Sequence, residues 1–147
     1  MDRKSIGRRG EQGSSLIEFA LVSLVLLAVL LGIVDMGRAL FAYDFISQAA
    51  PKASRFAMVR GSSCSGLSGG CPASSSDIQT YVRGMAPGLK TTAITATAIC
   101  LSGSSGTPPC DPGSSVRVTV QYSFAFLSPF TPRTWTMRRS SQVTVAQ

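Results

Sequence analysis

The sequence predicts an α+β protein in which a long N-terminal helix is followed by a small, disulfide-stapled antiparallel sheet. Three observations predict this fold: a long apolar run near the N-terminus, a later segment that alternates apolar and polar residues, and four cysteines in two Ser/Gly-rich regions. At 147 residues the chain suits one modest domain with an appended segment.

The apolar run defines the first element. No charged residue lies between Phe19 and Val34, and extending the run back to Ser14 adds only Glu18. About 20 helical residues cross the roughly 30 Å hydrocarbon core of a bilayer. We therefore expect residues 14–34 to form a transmembrane helix.

The flanks of the run predict its orientation. Residues 1–13 form a basic leader that carries Arg3, Lys4, Arg8 and Arg9 against Asp2 and Glu11. The positive-inside rule places this leader in the cytoplasm and the bulk of the chain outside. A cleavable secretory signal is disfavoured, because the run is too long and Asp35-Met36-Gly37-Arg38 makes a poor cleavage region.

Beyond the run the helix is expected to continue outside the membrane over residues 35–60. Polar and apolar residues form neighbouring stripes with a spacing of three or four: Asp44, Gln48, Lys52 and Arg55 beside Phe45, Ala49, Ala53 and Phe56. Pro51 costs about 3 kcal/mol inside a straight helix, so a kink or break is expected there. Asp35 and Arg38 have the i, i+3 spacing of an ion pair at the outer membrane boundary, with helix–helix contact in a filament as a second role.

Residues 61–147 predict a small α+β head. A short helix is expected from a cap at Ser76 or Asp77 to Met85. The clearest strand alternates Val116, Val118, Val120, Tyr122, Phe124 and Phe126 with mostly polar residues. Weaker strands are expected over residues 91–101 and 135–145, the latter with Trp135, Met137, Val143 and Val145 on one face.

The four cysteines supply staples that such a small head needs. Four cysteines permit three pairings, and the two short loops favour Cys64–Cys71 and Cys100–Cys110. Disulfides also agree with an extracytoplasmic head, because they persist in oxidising compartments.

Several function classes are disfavoured by composition. The chain has no histidine, neither cysteine spacing fits a zinc site, and few carboxylates follow the apolar run, so no enzyme activity, metal or other cofactor is expected. The net charge is +7, but no Lys/Arg cluster with interleaved aromatic residues follows the run, so no nucleic-acid partner is expected.

The start of the run resembles the type IV prepilin processing site: a basic leader, Gly13, an apolar helix, and Glu18 five residues after the glycine. The resemblance extends further. The G-x-x-L-x-E-F start, the D-x-G-R-A segment at residues 35–39 and the ending SRFAMVRG are similar to the TadE-like family of pseudopilins, and VRVTVQYSFAFLSPF is similar to that family's C-terminal region. Ser23, where a proline is usual, and Pro51 depart from the family pattern.

The resemblance implies a minor pilin or pseudopilin of the tight-adherence (Flp) pilus machinery, in the bacterial inner membrane or extracted into a surface pilus. A prepilin peptidase would cut after Gly13 and free the amine of Ser14. Its partners would be other pilin-like subunits or further copies of itself, and the pilus assembly machinery.

Glu18 has two interpretations. A carboxylate in lipid normally marks function or has a partner, and the Ser14 amine of a neighbouring subunit would set the register between subunits. Alternatively, Glu18 is solvated among the lipid headgroups. The competing function for the whole chain is an uncleaved bitopic envelope protein whose head is a binding module.

Overall fold

The structure, a computed structural model, describes residues 11–67, 70–101, 106–127 and 134–146. Residues 1–10, which make up most of the expected leader, lie outside the described part. The elements are α1 (Glu11–Met58), α2 (Ser75–Gly84), a 3₁₀ turn (Thr91–Ala93), β1 (Ile94–Cys100), β2 (Ser115–Ala125) and β3 (Thr134–Thr144). The expected α+β architecture, with one long apolar helix followed by a three-stranded sheet, is confirmed.

The first half of α1 has no covering from the rest of the chain. Its most apolar 18-residue window has a mean hydropathy of 2.8 and is not buried, so the helix is a candidate membrane span by length and composition. Along residues 13–34 every side chain is exposed except the half-buried Ser23. Apolar side chains in this arrangement need a nonaqueous environment.

The second half of α1 packs on the sheet. Small side chains dominate the buried stripe, which consists of Ala42, Ile46, Ala49, Ala50, Ala53, Ser54 and Ala57. Their size lets the helix approach the strands closely. The hydroxyl of buried Ser54 lies 3.0 Å from that of Ser141 on β3, and the pair satisfies two polar groups inside this interface.

A kink or a break was expected at Pro51; α1 continues through this residue, so the break is wrong, and the kink stays a prediction. Pro51 is exposed, whereas its neighbours Ala50 and Ala53 are buried on the sheet. Water can therefore reach the Ser47 carbonyl, which loses its helical hydrogen bond to the proline. Packing of the opposite side of the helix on the sheet stabilises the helical conformation at this position.

The sheet is an antiparallel meander in the order β1-β2-β3. Its central strand, β2, follows the predicted alternation, because Val116, Val118, Val120, Tyr122 and Phe124 are all buried toward the helices. On β1, residues 94, 96 and 98 are buried in the same way, but residues 91–93 form a 3₁₀ turn instead of the start of the predicted strand.

The last strand agrees only in part with its predicted face. Met137 and Val145 are buried and Val143 is half-buried, but Trp135 is exposed. Trp135 pairs with Phe124 across the ladder, so it lies on the expected side of the sheet. Trp135 is exposed because, at this end of the sheet, α1 lies beside its side chain and does not pack over it.

Two disulfides close the loops of the head. Cys64 is bonded to Cys71 and Cys100 to Cys110, which are the two local pairings. The two disulfides lie close together, because the amide of Ser62, two residues before Cys64, donates a hydrogen bond to the Cys110 carbonyl at 2.9 Å. Loop closure of this length stabilises a fold by about 2–3 kcal/mol in the chain-entropy model.

The short helix α2 begins earlier than predicted. The expected cap at Ser76 or Asp77 is wrong: Ser74 is the N-cap, and Asp77 is the third helical residue of a capping box. The Asp77 carboxylate accepts from the Ser74 hydroxyl at 2.6 Å and from the Ser74 amide at 2.9 Å. Ile78 and Val82 then face the core.

This capping box predicts a pH dependence in the acid range. The hydrogen bonds from the Ser74 side chain and backbone lower the pKa of Asp77 from its ordinary value of 3.8. A lowered pKa stabilises the folded state above the ordinary value and loses that contribution as the pH falls through the folded-state value. Asp77→Asn should therefore lower the melting temperature of the detergent-solubilised protein at neutral pH, and the difference from the wild type should shrink below about pH 3.8. A difference independent of pH from 7 to 2 would contradict this role.

Candidate functional site

The sequence-predicted residues fall into two groups along α1. Gly13, Ser14 and Glu18 lie in its first two turns, and Asp35 and Arg38 lie where the apolar run ends. At 1.5 Å per residue the members of the two groups are separated by about 26–38 Å along the helix axis. The structure therefore does not bring them together in one chain.

Gly13 lies inside the helix, because α1 begins at Glu11. A Cβ atom built on Gly13 meets no atom within 4 Å, so the fold itself does not require glycine here. Glycine is about 1 kcal/mol less favourable than alanine in a helix interior, which makes local unwinding easier at this position. A requirement for glycine would come from a partner that approaches the backbone.

Glu18 projects from the exposed apolar part of α1. Its side chain is exposed, and within the described residues the ion pair of α1 joins Asp35 to Arg38 and does not involve Glu18. The neighbouring Ile17 and Phe19 are large, exposed and apolar. If these side chains face lipid, a carboxylate among them gains most from a cation supplied by another molecule.

Asp35 is an anchor between the helix and the sheet. It is only 4% exposed, although it follows directly on the apolar run. Its Oδ1 accepts from Arg38 Nη1 at 2.9 Å, as the i, i+3 spacing predicts. The backbone amide of Leu127, just after β2, also lies 3.1 Å from Oδ1 and 3.0 Å from Oδ2. The contact to residue 127 had no signal in the sequence, since the two residues are 92 positions apart.

Arg38 extends this anchor toward the core. Its guanidinium lies 5.3 Å from the ring centroid of Phe124, within the range of a cation–π interaction. Phe124 in turn contacts Phe126 edge to face, with ring centroids 5.1 Å apart. Carboxylate, guanidinium and aromatic rings thus fix the end of β2 at the level of residue 35.

No three His, Cys, Asp or Glu side chains cluster as metal ligands in the part of the chain that the structure describes. At Asp35 the carboxylate accepts hydrogen bonds from the Arg38 guanidinium and from the Leu127 backbone amide. Such a site holds two elements of the fold together.

The comparison with protein families concerns the segment that carries both groups. Residues 13–55 match the family model described as TadE-like protein. The match confirms the resemblance over this part of α1. The resemblance of VRVTVQYSFAFLSPF lies beyond the TadE-like segment and stays a prediction. No curated protein and no solved structure matches the chain.

The anchor within the TadE-like segment generates a stability prediction. Asp35→Ala removes the acceptor of the Arg38 and Leu127 hydrogen bonds and should cost about 2 kcal/mol in the free energy of unfolding of the head. Amide hydrogen exchange at Leu127 should become faster, and unfolding in detergent should occur at a lower concentration of denaturant.

Asp44→Ala is the matched control on the same helix. The Asp44 carboxylate is exposed and accepts from Gln48 at 2.8 Å within α1. This substitution should change stability by no more than about 0.5 kcal/mol. Equal effects of the two substitutions, or unchanged exchange at Leu127, would show that Asp35 does not anchor the sheet.

Proposed function

We propose that the protein is a membrane-inserted, TadE-like pseudopilin or minor pilin, a structural subunit for pilus assembly and tight-adherence secretion. The observation that carries the proposal is the TadE-like match over residues 13–55, a helix whose first half exposes a continuous apolar surface. The proposed role is structural and not catalytic. The membrane is the bacterial inner membrane, with the N-terminus in the cytoplasm and the head outside.

In this proposal a prepilin peptidase cuts the chain after Gly13 and removes residues 1–13. Two features of the glycine support the cleavage site. It has open space around its Cα, and it lowers the helix propensity of the segment that must unwind for backbone hydrolysis. The product would begin with the amine of Ser14 at the end of a lipid-exposed helix.

The freed amine gives Glu18 a partner on a neighbouring subunit. Within one chain, residues 14 and 18 lie on the same face of α1, about 6 Å apart along its axis. A neighbour shifted by that distance places its Ser14 amine beside Glu18. Two opposite charges in a low-dielectric environment attract strongly, and an unpaired one is costly there. The pairing therefore favours one axial register between helices that otherwise offer each other mostly apolar side chains.

Processing is tested by Gly13→Leu. A leucine side chain should obstruct the approach of the peptidase to the backbone, so the full-length precursor should accumulate in the membrane fraction. Gly32→Leu is the matched control, since it makes the same change in α1 where a Cβ atom also has open space. It should be shortened like the wild type. Intact mass and N-terminal analysis of the recovered proteins measure both outcomes.

A wild-type chain that is never shortened would contradict the proposal. The protein would then be the uncleaved, anchored envelope protein whose head is a binding module.

Assembly is tested by Glu18→Gln, which keeps the shape of the side chain and removes its charge. This variant should insert and be cut after Gly13, but crosslinking to other pilin-like subunits should fall about tenfold or more, as expected for loss of a buried charge pair. Asp44→Asn makes the same chemical change at an exposed position in the second half of α1 and should crosslink normally. Normal assembly of Glu18→Gln would mean that Glu18 is a solvated residue of the headgroup region.

A further inference from the structure

An apolar groove lies between α1 and the start of β3, at the end of the head nearest the apolar run. Its volume is about 450 Å³. The apolar side chains that line it are Met36, Ala39, Leu40, Tyr43, Trp135 and Met137. Met36 and Trp135 are each 61% exposed, as is the neighbouring apolar residue Leu127. A contiguous apolar surface of this kind marks a site of association.

The position of the groove relative to the apolar run follows from the helix and from the anchor. Met36 and Tyr43 lie two and nine residues after Val34, which is about 3 Å and 14 Å along the axis. The headgroup region of a leaflet begins where the hydrocarbon ends and is roughly 5–8 Å thick. The Leu127 amide bonded to Asp35 brings the end of β2 to this level. The groove therefore opens where the headgroups of the outer leaflet would lie.

The chemistry of the groove fits anionic phospholipid. Tryptophan and tyrosine favour the boundary between hydrocarbon and headgroups, because each combines an apolar ring with a polar group. Arg138 lines the groove, and the Arg139 guanidinium lies 4.9 Å from the Tyr43 ring centroid. No aspartate or glutamate is among the described residues that line it. An apolar floor with a cationic rim is complementary to acyl chains that end in a phosphate.

We infer that this groove docks the head on the outer leaflet by taking up anionic phospholipid. Trp135 and Leu127 enter the region between headgroups and acyl chains, and Arg139, which shares the face of β3 that carries Trp135, pairs with the phosphate. The head is then held at the membrane by its own surface as well as by α1. The inference rests on the proposed membrane insertion of α1, but it requires neither cleavage at Gly13 nor assembly.

Trp135 is the only tryptophan of the chain, so its fluorescence reports this groove alone. The full-length protein is reconstituted as one copy per lipid nanodisc, in phosphatidylcholine with varied proportions of phosphatidylglycerol. Lipids brominated near the top of the acyl chains should quench the emission about twofold or more, since the indole lies at the interface. Soluble acrylamide should quench it less than it quenches free tryptophan.

Arg139→Gln tests the cationic rim, because Arg139 lies against Tyr43 on the groove side of β3, and it retains the probe. The proportion of brominated phosphatidylglycerol needed for half-maximal quenching should rise about fivefold, as expected for loss of one cation near an anionic surface. Arg117→Gln is the matched control. Arg117 is also exposed on the sheet, but it lies near the start of β2 and pairs in the ladder with Gln142, at the far end of the head. This variant should behave like the wild type.

The outcomes separate the inference from the proposed function. Carbonate extraction of liposomes of the same composition reports whether α1 is inserted. Insertion with no quenching by brominated lipid overturns the docking inference alone. A second copy of the chain is the other candidate to cover the groove. It would be indicated if brominated lipid does not quench Trp135 at one copy per disc and the emission shifts to the blue only at higher protein density. This result would also overturn the docking inference. Failure of α1 to insert overturns both.

Discussion

A single continuous helix has to satisfy two environments, and the rest of the structure depends on how α1 does so. Residues 13–34 present large apolar side chains in all directions, whereas residues 42–57 present a narrow stripe of small ones to the sheet. The first pattern suits lipid, which surrounds a helix on every side. The second suits close packing on strands, because alanine allows the backbones to approach.

The transition between these environments is where the sheet is fastened. Asp35 is the first charged residue after the apolar run, and it is buried by the end of β2 instead of facing solvent. A buried carboxylate is tolerated only when its acceptor sites are filled, and here an arginine and a backbone amide fill them. The same carboxylate therefore ends the apolar segment and positions the sheet beside it. The arrangement fixes the position of the sheet along α1 relative to the apolar segment.

Much of the fold could be predicted from local patterns. The alternation from Val116 to Phe124 gave the central strand and its buried face, because a period of two has that meaning whenever one side of a sheet is covered. How far along the sheet α1 packs over that face could not be predicted in the same way. Trp135 shares that face but extends beyond the covered area, and only the path of α1 determines this. Pro51 was read from its cost in an isolated helix, whereas tertiary packing and an exposed position allow the helix to continue.

The candidate site shows the same division. The spacing of Asp35 and Arg38 predicts their ion pair, but the Leu127 amide belongs to a distant part of the chain and carries no side-chain signal. Gly13 and Glu18 were found by resemblance and by the cost of charge in lipid, and neither has a tertiary contact that could have revealed it. A residue whose partner lies on another molecule, as proposed for Glu18, shows no contact with that partner in a structure of one chain.

Because α1 contributes one side of the core of the sheet, it also determines the order in which the chain can fold. The helix is translated first, but the sheet cannot complete its core until β2 and β3 have been synthesised and have reached the second half of that helix. During this interval their valines and open strand edges are exposed to proteases and to aggregation. A soluble fragment that begins at Gly61 would remain in this state permanently. The smallest unit able to fold begins inside the helix, near Asp35, so the boundary between anchor and domain falls within one secondary-structure element.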